Sequence, residues 1–269
     1  MPHDNAPPPG RPLLAIAHPG HELRVLHWCE IARPDVAVLT DGSGHGGESR
    51  VYRTKQWVEQ NGGRMTGFCA PLTDRQLYEA VLGGDLTLLK TTTESLAEVI
   101  AAGGYDYVVG DAPEGAIMGH DVFRAVLDAA LILARRATGR PLASYDFPLE
   151  ATPGSVRPEL ADRACFIHLD DAAVDRKIEV GMAYEEIRGE VVRAVETYGR
   201  EAFAVECLRP SLTESGLAAF EGAADYERHG EQQVARGRYT EVVRHAEHVA
   251  PLTAGLRQWA GGARLQPVR

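Results

Sequence analysis

The chain predicts an α/β fold: a Rossmann-like, mainly parallel sheet covered by helices on both faces, with a C-terminal lobe. Short apolar runs end at turn residues, and helical stretches follow them through the first half. The first two strand candidates, residues 13–17 and 36–39, are apolar throughout, as parallel strands buried on both faces require. With 269 residues and 44% hydrophobic content, one large domain or a main domain with an appended lobe can bury a core.

Residues 1–10 are rich in proline without an apolar signal core, so a disordered lead-in is expected there. Residues 13–17 are an apolar run stopped by Pro19-Gly20, the punctuation of a buried strand ending in a turn. Residues 22–32 read as a helix ended by Arg33-Pro34, and 36–39 as a second strand that opens into the glycine-rich loop 41–47. Helices are expected over 50–61 and 86–102, each stopping at a Gly-Gly pair, with a third strand over 105–109. From 120 to 136 the residues Phe123, Val126, Leu127, Ala130, Leu131 and Ala134 form one helical stripe. Beyond Pro141, strands are expected at 143–147 and 165–169 and a helix over 174–198. The remainder, with Tyr226, Arg228 and a helix over 239–249, reads as a lobe or cap.

A formal charge of -10 argues against nucleic acid, because phosphate binding needs clustered Lys and Arg. A small anionic substrate held by one or two arginines remains compatible. The four cysteines are scattered without a C-x-x-C pair, which suits a reducing compartment. No apolar run approaches the roughly 20 residues of a membrane span, so a cytoplasmic protein is expected. No G-x-G-x-x-G follows the first strand, which disfavours a nicotinamide enzyme. A homo-oligomer stays open.

Ligand sites in open α/β sheets collect at the carboxyl ends of the strands. The first exit here carries His18 and His21, the second runs from Asp41 to Arg50, and the third contains Asp111, Glu114 and His120. A histidine opening a helix is biased toward the neutral form that binds metals. Three histidines with an open position make a catalytic zinc site. The spacing alone leaves the plainer reading open, with His18 capping its turn, His21 solvated and His120 an ordinary helix-start residue. His45 reads as part of the mobile loop, while His27, His168, His229, His245 and His248 lack ligand-like spacing.

Residues 13–19 followed by Glu22 resemble the opening strand of the PIG-L/LmbE family of zinc-dependent N-deacetylases, whose usual ending is A-H-P-D-D-E. Residues 38–42 are similar to that family's second strand and T-x-G-like exit. Residues 105–109 are similar to the strand before its H-x-D-H motif, and Asp170-Asp171 through Lys177 and Tyr184 to its later K-x-x-A-x-x-x-Y helix. The resemblance covers roughly residues 13–190. It implies a metal-binding catalytic domain over 11–200 and a helical extension or cap over 201–269.

By the same resemblance, His18 is the first metal ligand, His21 replaces the usual aspartate ligand and His120 is the downstream ligand. One divalent ion is implied, zinc first, with iron and copper open. Two positions depart from the family pattern: Gly20 stands where the general base aspartate belongs, and Ile117 where a second downstream histidine belongs. Glu22, Asp41, Asp111 and Glu114 are the candidate replacement bases. Arg50 and Arg53 stand where the family often has an arginine facing the substrate, Ser43 and its loop amides could cradle an anion, and Asp74 and Tyr78 are hydroxyl-binding candidates. Three functions therefore compete. The first is a metal-dependent amide hydrolase acting on a small polar metabolite such as an N-acylated amino sugar or amino acid. The others are a repurposed metalloenzyme with a non-hydrolytic biosynthetic step, and a non-catalytic metal or ligand binder.

Overall fold

The structure, a computed structural model, describes residues 6–44, 47–220 and 222–265. His45 and residues 1–5 of the expected lead-in lie outside the described residues.

Seven strands form one mixed sheet: β1 (Pro12–Ile16), β2 (Asp35–Thr40), β3 (Arg64–Leu72), β4 (Tyr107–Asp111), β5 (Ala143–Phe147), β6 (Cys165–His168) and β7 (Val205–Pro210). Their order is β3-β2-β1-β4-β5-β7-β6. The five strands from β3 to β5 are parallel, and β7 runs antiparallel to both of its neighbours. Around them lie α1 (Leu26–Ala32), α2 (Val51–Gln60), α3 (Asp74–Leu82), α4 (Leu86–Gly103), α5 (Met118–Thr138), α6 (Asp171–Ala183), α7 (Arg188–Tyr198), α8 (Asp225–Ala235) and α9 (Ala250–Gly262). This is the expected α/β class.

The two-residue period of β1 divides the core. Leu13 and Ala15 pack with residues of α4, α5 and α9, whereas Leu14 and Ile16 pack with Trp28, Cys29 and Val58 on the opposite face. Both faces are covered, and β1 is buried along its whole length. Among the described residues no helix is long and apolar enough to cross a membrane.

The differences from expectation have local causes. β3 carries Gly67 and Pro71 and pairs with β2 through two register irregularities, the habit of a bulged edge strand with no continuous apolar run. The strand expected at 105–109 pairs two residues later, where Tyr107 lies in register with Pro12 and Ala143. The helix expected over 174–198 is two helices, interrupted where Ile187 amide bonds to the Tyr184 carbonyl. Of the helix expected over 239–249, only a π turn at His245–Val249 forms, leading into α9. β7 lies inside the sheet, so the region after residue 200 supplies a strand as well as helices.

Candidate functional site

The sheet order reverses between β1 and β4, and the crevice at their carboxyl ends is where such sheets receive ligands. One carboxylate joins the two exits. Asp111, at the end of β4, accepts the Ala17 amide at 2.7 Å and the His21 Nδ1–H at 2.8 Å through the same oxygen, Oδ2. After Pro19 the chain turns through Gly20 at φ 105°, a left-handed conformation that suits glycine, into a 3-10 helix at His21–Val25. Glu22 closes this turn: Oε2 accepts the Gly20 amide at 2.8 Å and Oε1 accepts the Thr54 hydroxyl at 2.7 Å.

The turn and the start of α5 bring three imidazoles together. Ring centroids are 5.3 Å apart for His18 and His21, 5.4 Å for His18 and His120, and 4.6 Å for His21 and His120. His18 Nδ1 lies 2.7 Å from Thr40 Oγ1 and 3.0 Å from Asp74 Oδ1. His120 is buried, and neither of its ring nitrogens has a hydrogen-bond partner. Burial and the two neighbouring imidazoles hold its pKa well below the usual histidine value, so it is neutral. For His21, burial opposes protonation, but the Asp111 carboxylate outweighs it and the pKa is raised. Burial lifts the Asp74 carboxyl, yet the His18 hydrogen bond and charge prevail and hold it well below the carboxylate range.

Metal–nitrogen bonds of about 2.0–2.1 Å around a tetrahedral centre put imidazole centroids roughly 5 Å apart, which the ring positions match. A carboxylate behind the Nδ1 of a ligating histidine fixes the tautomer that leaves Nε2 free, and Asp74 and Asp111 take those places. As the side chains stand, no group of three or more His, Cys, Asp or Glu among the described residues is placed to hold a metal ion. The rings lie at 83°, 55° and 85° to one another.

Gly119 admits this approach. A Cβ there would stand 2.8 Å from His18 Nε2, a separation real Cβ atoms essentially never show. Gly119→Ala is therefore expected to displace the His18 ring and weaken zinc binding about tenfold or more, as measured by chelator competition. Unchanged affinity would show that His18 need not approach α5.

The other sequence candidates are placed as follows. Asp41 Oδ1 accepts the Ser43 amide at 3.0 Å and the Ser43 hydroxyl at 2.8 Å, which shapes the loop and occupies Ser43. The Glu114 carboxylate is surrounded by the amides of Leu149, Glu150 and Ala151 at 2.8–2.9 Å. Arg53 pairs with Glu186 at the surface, and the Tyr78 hydroxyl donates to the Glu241 carbonyl. Arg50 donates from Nε to the Gly42 carbonyl at 2.5 Å and makes no ion pair with a described residue. A Cβ at Gly42 would meet both Arg50 Nε and Pro19 Cδ, so the guanidinium stands against the first exit, and its charge reaches His21. Ile117 is 43% exposed beside His120.

Residues outside the histidine motifs complete the site, and Asp74, a hydroxyl-binding candidate by sequence, is engaged by His18 and Thr40. A Cβ at Gly20 would lie 3.1 Å from Ile187 Cδ1 and 3.4 Å from Tyr184 Cε1, so the space beside Gly20 is filled. Arg24, on the His21 helical turn, donates to the carbonyls of Pro148 and Ala151 after β5. Asp74 opens α3 behind a Thr73–Gln76 capping box, a T-x-x-Q signal legible in the sequence. Two surface recesses, of about 410 Å³ on α2 and about 350 Å³ between Leu86 and Pro251, are not lined by these histidines. Recess size does not select the site; its chemistry does.

No protein-family model matches the chain, and no curated protein matches it. Among solved structures the chain is similar to the crystal structure of antimicrobial reagent A40926 pseudoaglycone deacetylase Dbv21. The identity is 16% over 74% of this chain and 96% of that chain, with a TM-score of 0.44.

Proposed function

We propose that the chain is a metal-dependent amide hydrolase of the N-deacetylase type, acting on a small polar metabolite such as an N-acylated amino sugar or amino acid. The observation that carries this reading is His120: a buried imidazole with two unpaired nitrogens, facing two histidines each set by a carboxylate. Buried polar atoms without a partner are rare and call for one. His18, His21 and His120 would hold the ion, zinc first and iron or copper otherwise. When bound, the ion would polarise the amide carbonyl and acidify water at the site. Asp74 and Asp111 hold the tautomers of His18 and His21. Arg50 orients an anionic group of the substrate through its uncommitted nitrogens, and Ile117 gives the rim an apolar surface. The same reading takes a small molecule as partner, in the cytoplasm, without nucleic acid or membrane; the net charge of -10 supports the exclusion of nucleic acid.

The filled space at Gly20 favours a second reading, a metalloenzyme with a non-hydrolytic step, because glycine offers no proton acceptor there. Elemental analysis and acetate release separate the two. The hydrolase is expected to carry about one zinc per chain and to release acetate from a panel of N-acetylated amino sugars and amino acids. Iron or copper without acetate release would replace it by the second reading. Ligand-dependent melting shifts without turnover of any kind would leave a binding module.

A further inference from the structure

Of the carboxylates nearest the histidines, three are fully engaged and two are shut away from solvent, each with one oxygen unpaired: Asp111 Oδ1 and Asp121 Oδ2. Glu22 spends both oxygens on Gly20 and Thr54, Asp74 serves His18, Thr40 and the Gly44 amide, and Glu114 serves three amides. Asp111 and Asp121 are buried: Asp111 stands behind His21, and Asp121 accepts the Glu114 and Gly115 amides. Glu150 differs. It is an exposed residue whose carboxylate accepts no hydrogen bond and makes no ion pair with a described residue.

Its backbone, by contrast, is clamped. The Glu114 carboxylate takes the amides of residues 149–151, Arg24 holds the Pro148 carbonyl at 3.2 Å and the Ala151 carbonyl at 2.8 Å, and the Tyr198 hydroxyl donates to the Glu150 carbonyl. The preceding residue, Phe147, is in register with Asp111 and accepts the Ala112 amide at 3.1 Å. The segment therefore emerges beside the carboxylate that orients His21, bolted to the helical turn that carries His21. These bonds fix the backbone that carries the Glu150 side chain, the support that a functional group on a loop needs.

We propose that Glu150 is the proton acceptor and donor of the site, the role that Gly20 cannot fill; this rests on the amide-hydrolase reading above. Glu150 takes one proton from water as the water oxygen bonds to the amide carbonyl carbon. It returns that proton to the nitrogen as the carbon–nitrogen bond breaks. Carboxylic acid and amine leave, and Glu150 ends ionised as it began. The charges of Glu114, Arg24, Glu190 and His21 reach it, in that order of effect. Partial burial of its carboxyl and the Glu114 charge raise its pKa, the direction that suits a base working near neutral pH.

The test uses the full chain loaded with cobalt(II), whose visible absorption reports the metal surroundings with or without substrate. Glu150→Gln is expected to keep the native melting temperature and metal stoichiometry. It is expected to lower kcat for acetate release by about 10²–10⁴-fold, with KM near native and the acidic limb of the pH profile lost. Glu150→Asp is expected to recover part of the rate. The midpoint of the pH-dependent cobalt absorption is expected to move by about half a pH unit or more in Glu150→Gln, because a neighbouring negative charge is gone. An unmoved midpoint, or kcat within about threefold of native, overturns the proposal. If no acetate is released but the midpoint moves, hydrolysis falls while Glu150 stands as the carboxylate facing the reacting centre. If neither protein takes up cobalt, both readings fall.

Discussion

Replacing His120 by leucine is expected to leave the metal-free protein at least as stable as the native one, and to abolish its stabilisation by zinc. An imidazole buried without hydrogen bonds has lost its contacts with water and gained none in exchange. Leucine fills a similar volume with atoms that need no partner. In the native protein, zinc at about a thousand times its dissociation constant adds roughly 4 kcal/mol of stability. For a chain of this size that raises the melting temperature on the order of 10 °C. Thermal scans with and without zinc measure both effects. An ordinary core histidine behaves in the opposite way: its leucine variant loses stability, and zinc shifts neither protein. His21→Leu provides a contrast, because it leaves the buried Asp111 carboxylate without its imidazole and should destabilise even the metal-free protein.

The parts of this arrangement that were legible in the sequence are those with local causes. β1 and β2 announce themselves through apolar runs and α5 through a helical stripe, and the histidines stand at turn residues that end strands. β3 does not, because its Gly67, Pro71 and bulged pairing break the apolar run that marks a buried strand. Carboxylates are harder still to read. Glu22 and Glu114 look like candidate bases in a linear string, yet what they bind is fixed by the fold: a turn amide and Thr54 in one case, three amides after β5 in the other. Glu150 was hidden for the same reason. Nothing in the motif of the third exit points to a loop that begins after the next strand. That Asp74 stands behind His18 depends on α3 beginning against the end of β2, a matter of packing rather than pattern.

Glu206→Ala is expected to destabilise the protein by about 3–5 kcal/mol, the usual effect of removing one partner from a buried ion pair. Glu206 and Lys177 are both buried and meet at 2.7 Å. Glu206 also accepts the amides of His27 and Trp28 at the start of α1, while Lys177 Nζ donates to the Arg24 carbonyl at 2.7 Å. One carboxylate on β7 thus anchors the helical turn that carries His21 and Arg24. Burial pushes the Lys177 pKa down, and Glu206 is the main force opposing that shift. Without Glu206 the folded-state pKa falls further below the value of an unfolded lysine. Between those two values the unfolded chain binds more protons, so the stability of Glu206→Ala should rise with pH, and its deficit should shrink toward about pH 10. Urea titrations of native and variant protein at pH 7 and pH 9.5 measure this. A deficit that does not change with pH would mean that the lost amide contacts, and not a stranded ammonium, carry the effect. Zinc affinity should fall in the same variant, because the turn aiming His21 at its partners loses its fixed end.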